Sequence, residues 1–134
     1  SLLGGSDGGA HCTYICDASV PTFMLTHWTR DRTRGERFPI EWVVKKQSRD
    51  PAHIFGLTDR GVVAPGFKAD LNLINYEELN INTPFMVHDL PSGAPRLMTT
   101  ADGYEATIVS GTVVQRRSEE TGERPGQVIR GGMI

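Results

Sequence analysis

The chain has 134 residues, 38% of them hydrophobic and 22% charged, with a formal net charge of -2 at pH 7. That length and balance suit one ordinary soluble domain with a modest core. No apolar run approaches the ~20 residues of a membrane span, and the slight acidity excludes the basic field of a nucleic-acid binder.

Leu2 and Leu3 predict a strand stub, and Gly4 to Gly9 is too glycine-rich for a helix or a regular strand, so it reads as a loop. The loop holds one carboxylate, Asp7, and four residues later an imidazole, His11. A strand end that delivers an acid into a glycine-lined space is a common way to build a chemical site. The plain alternative is a turn aspartate. Cys12 and Cys16 are the two cysteines of the chain. Two ligands do not make a zinc site, so they read as simple thiols in a reducing compartment. No basic-then-apolar leader opens the sequence, which sets the expectation of a cytoplasmic protein.

From Val20 the pattern turns helical, with Val20, Phe23, Met24 and Trp28 on one stripe and Pro21 in the first turn. The basic run Arg30, Arg32 and Arg34 ends this helix before Gly35. Pro39 starts a second helix carrying Ile40, Val43, Val44 and Gln47. Asp50 and Pro51 read as the cap and first residue of a third, with Ala52, Ile54 and Phe55 on its apolar side and Gly56 at its end. Trp28, Trp42 and His27 read as packing residues, and His53 as structural. His88 receives no role.

Strands dominate after Leu57. Pro65-Gly66 predicts a turn, and residues 69–74 alternate so that Leu71 and Leu73 share a face, with Asp70 a structural acid at the strand start. Leu79 to Ile81 and Phe85 to Val87 predict short strands within a polar, proline-punctuated stretch. Tyr104 to Ile108 and Thr112 to Gln115 flank Ser110-Gly111 as a hairpin. Glu119 to Gly126 reads as a charged turn region, and Gln127 to Arg130 as a last strand. A loop, a helical third and a strand-rich remainder imply an α+β fold or the junction of two domains, with the boundary between Leu57 and Val62.

The ordered motifs resemble the amidohydrolase superfamily. They run Gly-Gly-Ser-Asp7-Gly-Gly-Ala-His11, Pro21-Thr-Phe-Met-Leu-Thr-His27-Trp, Gly35-Glu-Arg-Phe-Pro39 and Asp50-Pro-Ala-His-Ile-Phe-Gly-Leu57. Asp59-Arg-Gly-Val-Val-Ala-Pro-Gly66, Ala69-Asp70-Leu71, Ile108-Val-Ser-Gly-Thr-Val113 and Thr121-Gly-Glu-Arg-Pro-Gly126 continue the series. The likeness is strongest to the D-aminoacylase group, the N-acyl-D-amino-acid deacylases, and it covers nearly the whole chain.

The resemblance implies that residues 1–57 are the C-terminal end of a (β/α)₈ barrel, the last strand-loop and its helices. Residues 58–134 would then be C-terminal strands of a composite β-sandwich domain. It places Asp7 at the C-terminal end of the eighth strand, where barrel acids tend to be catalytic. In that group this aspartate binds the metal, a zinc, and takes the proton of the attacking water. His11 and one of Arg30 or Arg32 are the implied substrate contacts, a guanidinium fork suiting a carboxylate.

The remaining ligands of the group, an early His-x-His pair among them, are absent. The four histidines stand at 11, 27, 53 and 88. The chain alone is therefore expected to bind no zinc and to be inactive. It would be the C-terminal piece of a zinc-dependent hydrolase acting on an N-acyl-D-amino acid. Val20, Phe23, Met24 and Trp28 would be left exposed, favouring a homo-oligomer or association with the missing barrel. The rival reading is a non-catalytic α+β oligomerisation or binding module.

Overall fold

The computed structural model describes residues 6, 8, 9 and 11–129. The first helix follows a short 3₁₀ turn at Asp17–Ser19. It runs as α1 over Val20–Thr26 and widens into a π-helical turn over His27–Asp31, closed by the Arg32 amide on the His27 carbonyl at 2.8 Å. Pro21 stands in the first turn, where its missing N–H costs nothing.

Pro39 caps α2, Ile40–Gln47, and α3 spans Arg49–Ile54. Gly56, at φ 70°, ends α3 by donating to the His53 carbonyl at 3.1 Å.

The strands form antiparallel sheets. The largest has the order β1-β6-β7-β8, from Leu71–Ile74, Tyr104–Val109, Thr112–Arg116 and Glu119–Glu120. Asn80–Ile81 (β2) pairs with Ala101–Asp102 (β5), and Phe85–Val87 (β3) pairs with Arg96–Met98 (β4). Ser110 and Gly111, at φ 51° and 80°, make the β6–β7 connection a type I′ turn that matches strand twist. The Asp70 carboxylate accepts from the Ser110 amide at 2.8 Å, and Arg60 reaches Asp70 at 3.2 Å while also pairing with Asp59. Asp70 is thus the structural acid its place in the sequence suggested. Pro65-Gly66 forms the expected turn, with Gly66 at φ 86° and the Phe67 amide on the Ala64 carbonyl.

Leu25, Val43 and Leu79 form the core, ringed by Met24, Ile40, Ile74, Tyr76 and Tyr104. Val43 and Leu79 are completely buried, each worth about 1.5–3 kcal/mol relative to exposure. The cluster draws on residues before position 57 and on residues after it, and the architecture is α+β.

Several predicted details change. The stripe read on α1 splits. Met24 packs on the core, Val20 and Phe23 lie on the surface, and the buried positions are Thr22, Leu25 and Thr26. Threonine goes inside because its hydroxyls are met: Thr22 by Tyr104, Thr26 by the Thr22 carbonyl at 3.3 Å. On α3 only Ala52 of the predicted apolar side is buried, while Ile54 and Phe55 are exposed. Residues 127–129 form no strand. Among the described residues the last strand is β8, within the predicted charged turn, and β4 and β5 arise between Pro95 and Tyr104, where the sequence predicted no element.

Candidate functional site

Gly8 and residues 11–15 are held against the strands and the first helix through a few fixed contacts. Residues 11–15 close one turn, with the Tyr14 and Ile15 amides on the His11 carbonyl at 2.8 and 3.0 Å. The turn is tied to β4, because the Leu97 amide donates to the Cys12 carbonyl at 2.7 Å and Thr13 Oγ1 to the Pro95 carbonyl at 3.1 Å. Gly8 lies so close to Ala18 that an added Cβ would meet the Ala18 Cβ at 3.2 Å. Glycine at this position lets the loop settle against the start of the first helix.

Beneath the loop is a cavity of about 650 Å³. Gly8, Gly9, Cys12, Cys16 and Asp17 line one wall, and residues 96–101 with Tyr104 line the other. Arg96, one of the lining residues, forms a bidentate pair with Asp89, both bonds 2.6 Å. That pair holds the Asp89 carboxyl below its ordinary range and raises Arg96, each chiefly through the shared hydrogen bonds. The arginine fork is thereby committed to closing the β3–β4 hairpin.

Asp7 lies outside the described residues. His11 is exposed, at φ 49°, a turn residue outside the cavity lining. Arg30 reaches across to the strand-rich part. It donates to the Tyr76 and Leu79 carbonyls at 2.6 and 2.7 Å and to Asp31 at 2.7 Å, and its guanidinium lies 5.4 Å from the Tyr76 ring centroid. The Asp31 carboxylate raises the Arg30 pKa and is itself lowered, mainly by their hydrogen bond.

Arg32 lies over the Trp28 ring at 4.6 Å, and its Nε donates to the Arg34 carbonyl. Among the described residues no acceptor meets its terminal nitrogens. The structure thus separates two arginines that the sequence left equivalent. Neither lines the cavity.

Reading the sequence did not single out the cavity-lining pair Cys12 and Cys16, or Arg96. The four-residue thiol spacing was visible, but its placement over β4 depends on contacts across about eighty positions. Among the described residues no three His, Cys, Asp or Glu side chains converge where a metal could be held. The described residues therefore do not by themselves supply the three or four ligands of a catalytic zinc. Among the described residues no histidine lines the cavity, so its walls offer thiols, hydroxyls and the carboxylates of Asp17 and Glu120 without an adjacent imidazole base. No helix among the described residues is long and apolar enough to cross a membrane.

A family model described as "Amidohydrolase family" matches residues 1–115. Two dihydroorotases from strains of Lactobacillus delbrueckii subsp. bulgaricus are each 29% identical over 113 residues. Those alignments cover 74% of this chain and 24% of each relative, so the chain spans about a quarter of the length of the curated relatives it matches. No solved structure matches it.

Proposed function

The chain belongs to the amidohydrolase family, and from that premise we propose that it is the C-terminal portion of a longer zinc-dependent hydrolase cleaving the amide bond of N-acyl-D-amino acids. The observation that carries this reading is the family match over residues 1–115, which runs through the Ser6-Asp7-Gly8-Gly9 loop. The order of the D-aminoacylase-like motifs supports the substrate class, and the cavity walled by Gly8 and Gly9 supports chemistry at this loop. In this reading residues 1–57 complete a barrel and 58–134 contribute sandwich strands.

Asp7 is the proposed catalytic residue and this chain's ligand to the zinc. A carboxylate among small neighbours can take a proton from water and return it to the leaving amide nitrogen. The zinc and its other ligands are assigned to the longer protein. Arg32, whose terminal nitrogens are uncommitted among the described residues, is the better proposed contact for the substrate carboxylate. Arg30 serves the fold. His11, exposed beside the loop, is a second proposed contact.

One second reading has its own support. The relatives at 29% identity are dihydroorotases, and a cyclic amide is cleaved by the same chemistry. The test is an assay of the longer protein against N-acetyl-D-amino acids, their L-enantiomers and dihydroorotate. It is paired with zinc analysis and the Asp7→Asn variant. Turnover of the D-substrates, abolished by Asp7→Asn, is expected, as is no turnover by the 134-residue chain alone. Turnover of dihydroorotate alone transfers the reading to the second substrate. Turnover of neither favours the non-catalytic module.

A further inference from the structure

Cys12 and Cys16 both line the cavity beside the entry loop, and both are free thiols left half-buried. Cysteine is among the residues most often fully buried, where it packs as a small apolar group. Neither thiol belongs to the core of Leu25, Val43 and Leu79 or to the hydrophobic side chains packed against it. Two half-exposed thiols on one cavity wall are placed for chemistry rather than for packing.

The backbone path suits a bridge between them. The Ile15 amide on the His11 carbonyl closes one helical turn over residues 11–15. Cys12 lies in this turn and Cys16 follows directly on it. In a helical turn, positions four apart lie on one face with Cα atoms about 6 Å apart, within the span of about 4.4–6.8 Å that a disulfide bridges. Cys16 stands at the junction with the 3₁₀ turn Asp17–Ser19, at φ -131° and ψ 53°, so no regular helix fixes the direction of its sulfur. Among the described residues no group of three His, Cys, Asp or Glu side chains could hold a metal. The chemistry open to the pair is therefore thiol–disulfide exchange.

We propose that Cys12 and Cys16 are a reversible thiol–disulfide pair, oxidised by a small-molecule disulfide of the glutathione type. One thiolate attacks a sulfur of glutathione disulfide, forms a mixed disulfide and expels one glutathione thiolate. The second attacks the protein sulfur of that mixed disulfide, closes the Cys12–Cys16 bond and expels the other. The two thiol protons pass to the two glutathione thiolates, so the protein loses two hydrogens and one glutathione disulfide becomes two glutathiones. The new bond ties the turn fastened to β4 by the Leu97 amide to the start of the first helix. Gly8 and Gly9 line the same cavity, so on the hydrolase reading above oxidation stiffens a wall of the Asp7 loop's own cavity. The exchange itself does not depend on that reading.

Equilibration of the full-length protein in glutathione buffers of graded reduced-to-oxidised ratio tests this. Remaining thiols are then alkylated, and the tryptic peptide ending at Arg30, which holds both cysteines, is weighed. The expected product is an unalkylated peptide lacking two hydrogens, restored to the dithiol by excess reduced glutathione. Its formation constant should be at least about tenfold larger in the native than in the urea-unfolded protein, because the fold raises the effective concentration of one thiol at the other. Cys12→Ser and Cys16→Ser should each keep one glutathione as a stable mixed disulfide. Equal constants in native and unfolded protein overturn the proposal. So do two alkylated thiols at every ratio, or glutathione retained on both cysteines of the unaltered protein. Should a serine variant fail to fold, the native-against-unfolded comparison still decides. Each readout is a mass and not a turnover, so a failed deacylase assay leaves it intact.

Discussion

The hydroxyls of Thr22 and Tyr104 lie 2.8 Å apart, joining the buried side of α1 to the start of β6 across 82 positions. Two helical turns on, Thr29 meets the Tyr76 hydroxyl in the same way. The helix is thus held to the strand-rich part by two threonine–tyrosine pairs on either side of Leu25, and Leu25 supplies the apolar contact between them.

Thr22→Val and Tyr104→Phe should each cost about 1 kcal/mol, since each leaves one hydroxyl without its partner. The double variant should cost less than the sum, because it removes both polar groups together. Urea unfolding of the four proteins gives the cycle. Strict additivity would show that the pair carries no coupling.

Arg30→Lys keeps the charge but loses the fork that serves the Tyr76 and Leu79 carbonyls. A loss of about 2 kcal/mol is expected, in the range of hydrogen bonds from charged donors. Arg32→Ala should shift stability by less than ~0.5 kcal/mol, as a surface change. Thermal unfolding of the two variants separates the structural arginine from the available one. Equal shifts would remove that distinction.

Gly103 and Gly111 both lie at positive φ, 88° and 80°, but only Gly103 is crowded. A Cβ there would sit 2.7 Å from the Leu79 Cα and 2.8 Å from the Asn75 carbonyl oxygen, whereas none meets anything at Gly111. Gly111→Ala should cost about 1 kcal/mol of backbone strain, and Gly103→Ala at least about 3 kcal/mol, since backbone must move beside the core. Chemical denaturation that ranks them the other way would contradict the packing around Leu79.

Asp50 accepts from Lys45 at 2.5 Å and from Lys46 at 2.9 Å, and these bonds, Lys45 first, lower its pKa from 3.8 to about 2. The folded value lies below the unfolded one, so the stabilisation is present above about pH 4 and fades as pH falls toward 2. An NMR titration should place the Asp50 midpoint near 2. Asp50→Asn should lower the Tm at pH 7 and leave it unchanged near pH 2. A midpoint near 3.8 would show the two ammonium contacts to be absent in solution.

Local signals were legible where the physics is local. Pro21, Pro39 and Gly56 mark helix ends because a missing N–H or a positive φ acts at one residue. Ser110-Gly111 and Pro65-Gly66 mark turns for the same reason. β4 was not legible, since Arg96-Leu97-Met98 becomes a strand only by pairing with Phe85-Met86-Val87 across the Pro91–Gly93 turn. The entry loop stood out for its glycines. Nothing along the chain marked Cys12 and Cys16 as its cavity-lining neighbours, because the anchor bonds from Leu97 and to Pro95 come from residues some eighty positions away.

What residue order determined alone was the placing of turns and helix ends, the α+β division, and a motif succession shared with amidohydrolases. These depend on backbone freedom and on spacing, which are properties of short segments. Tertiary structure decided which side of α1 goes inward and which arginine is consumed by the fold. A threonine buries cheaply only if a tyrosine hydroxyl waits opposite, and a guanidinium is spent only if carbonyls reach it. Those partners are distant in the chain and adjacent only in space.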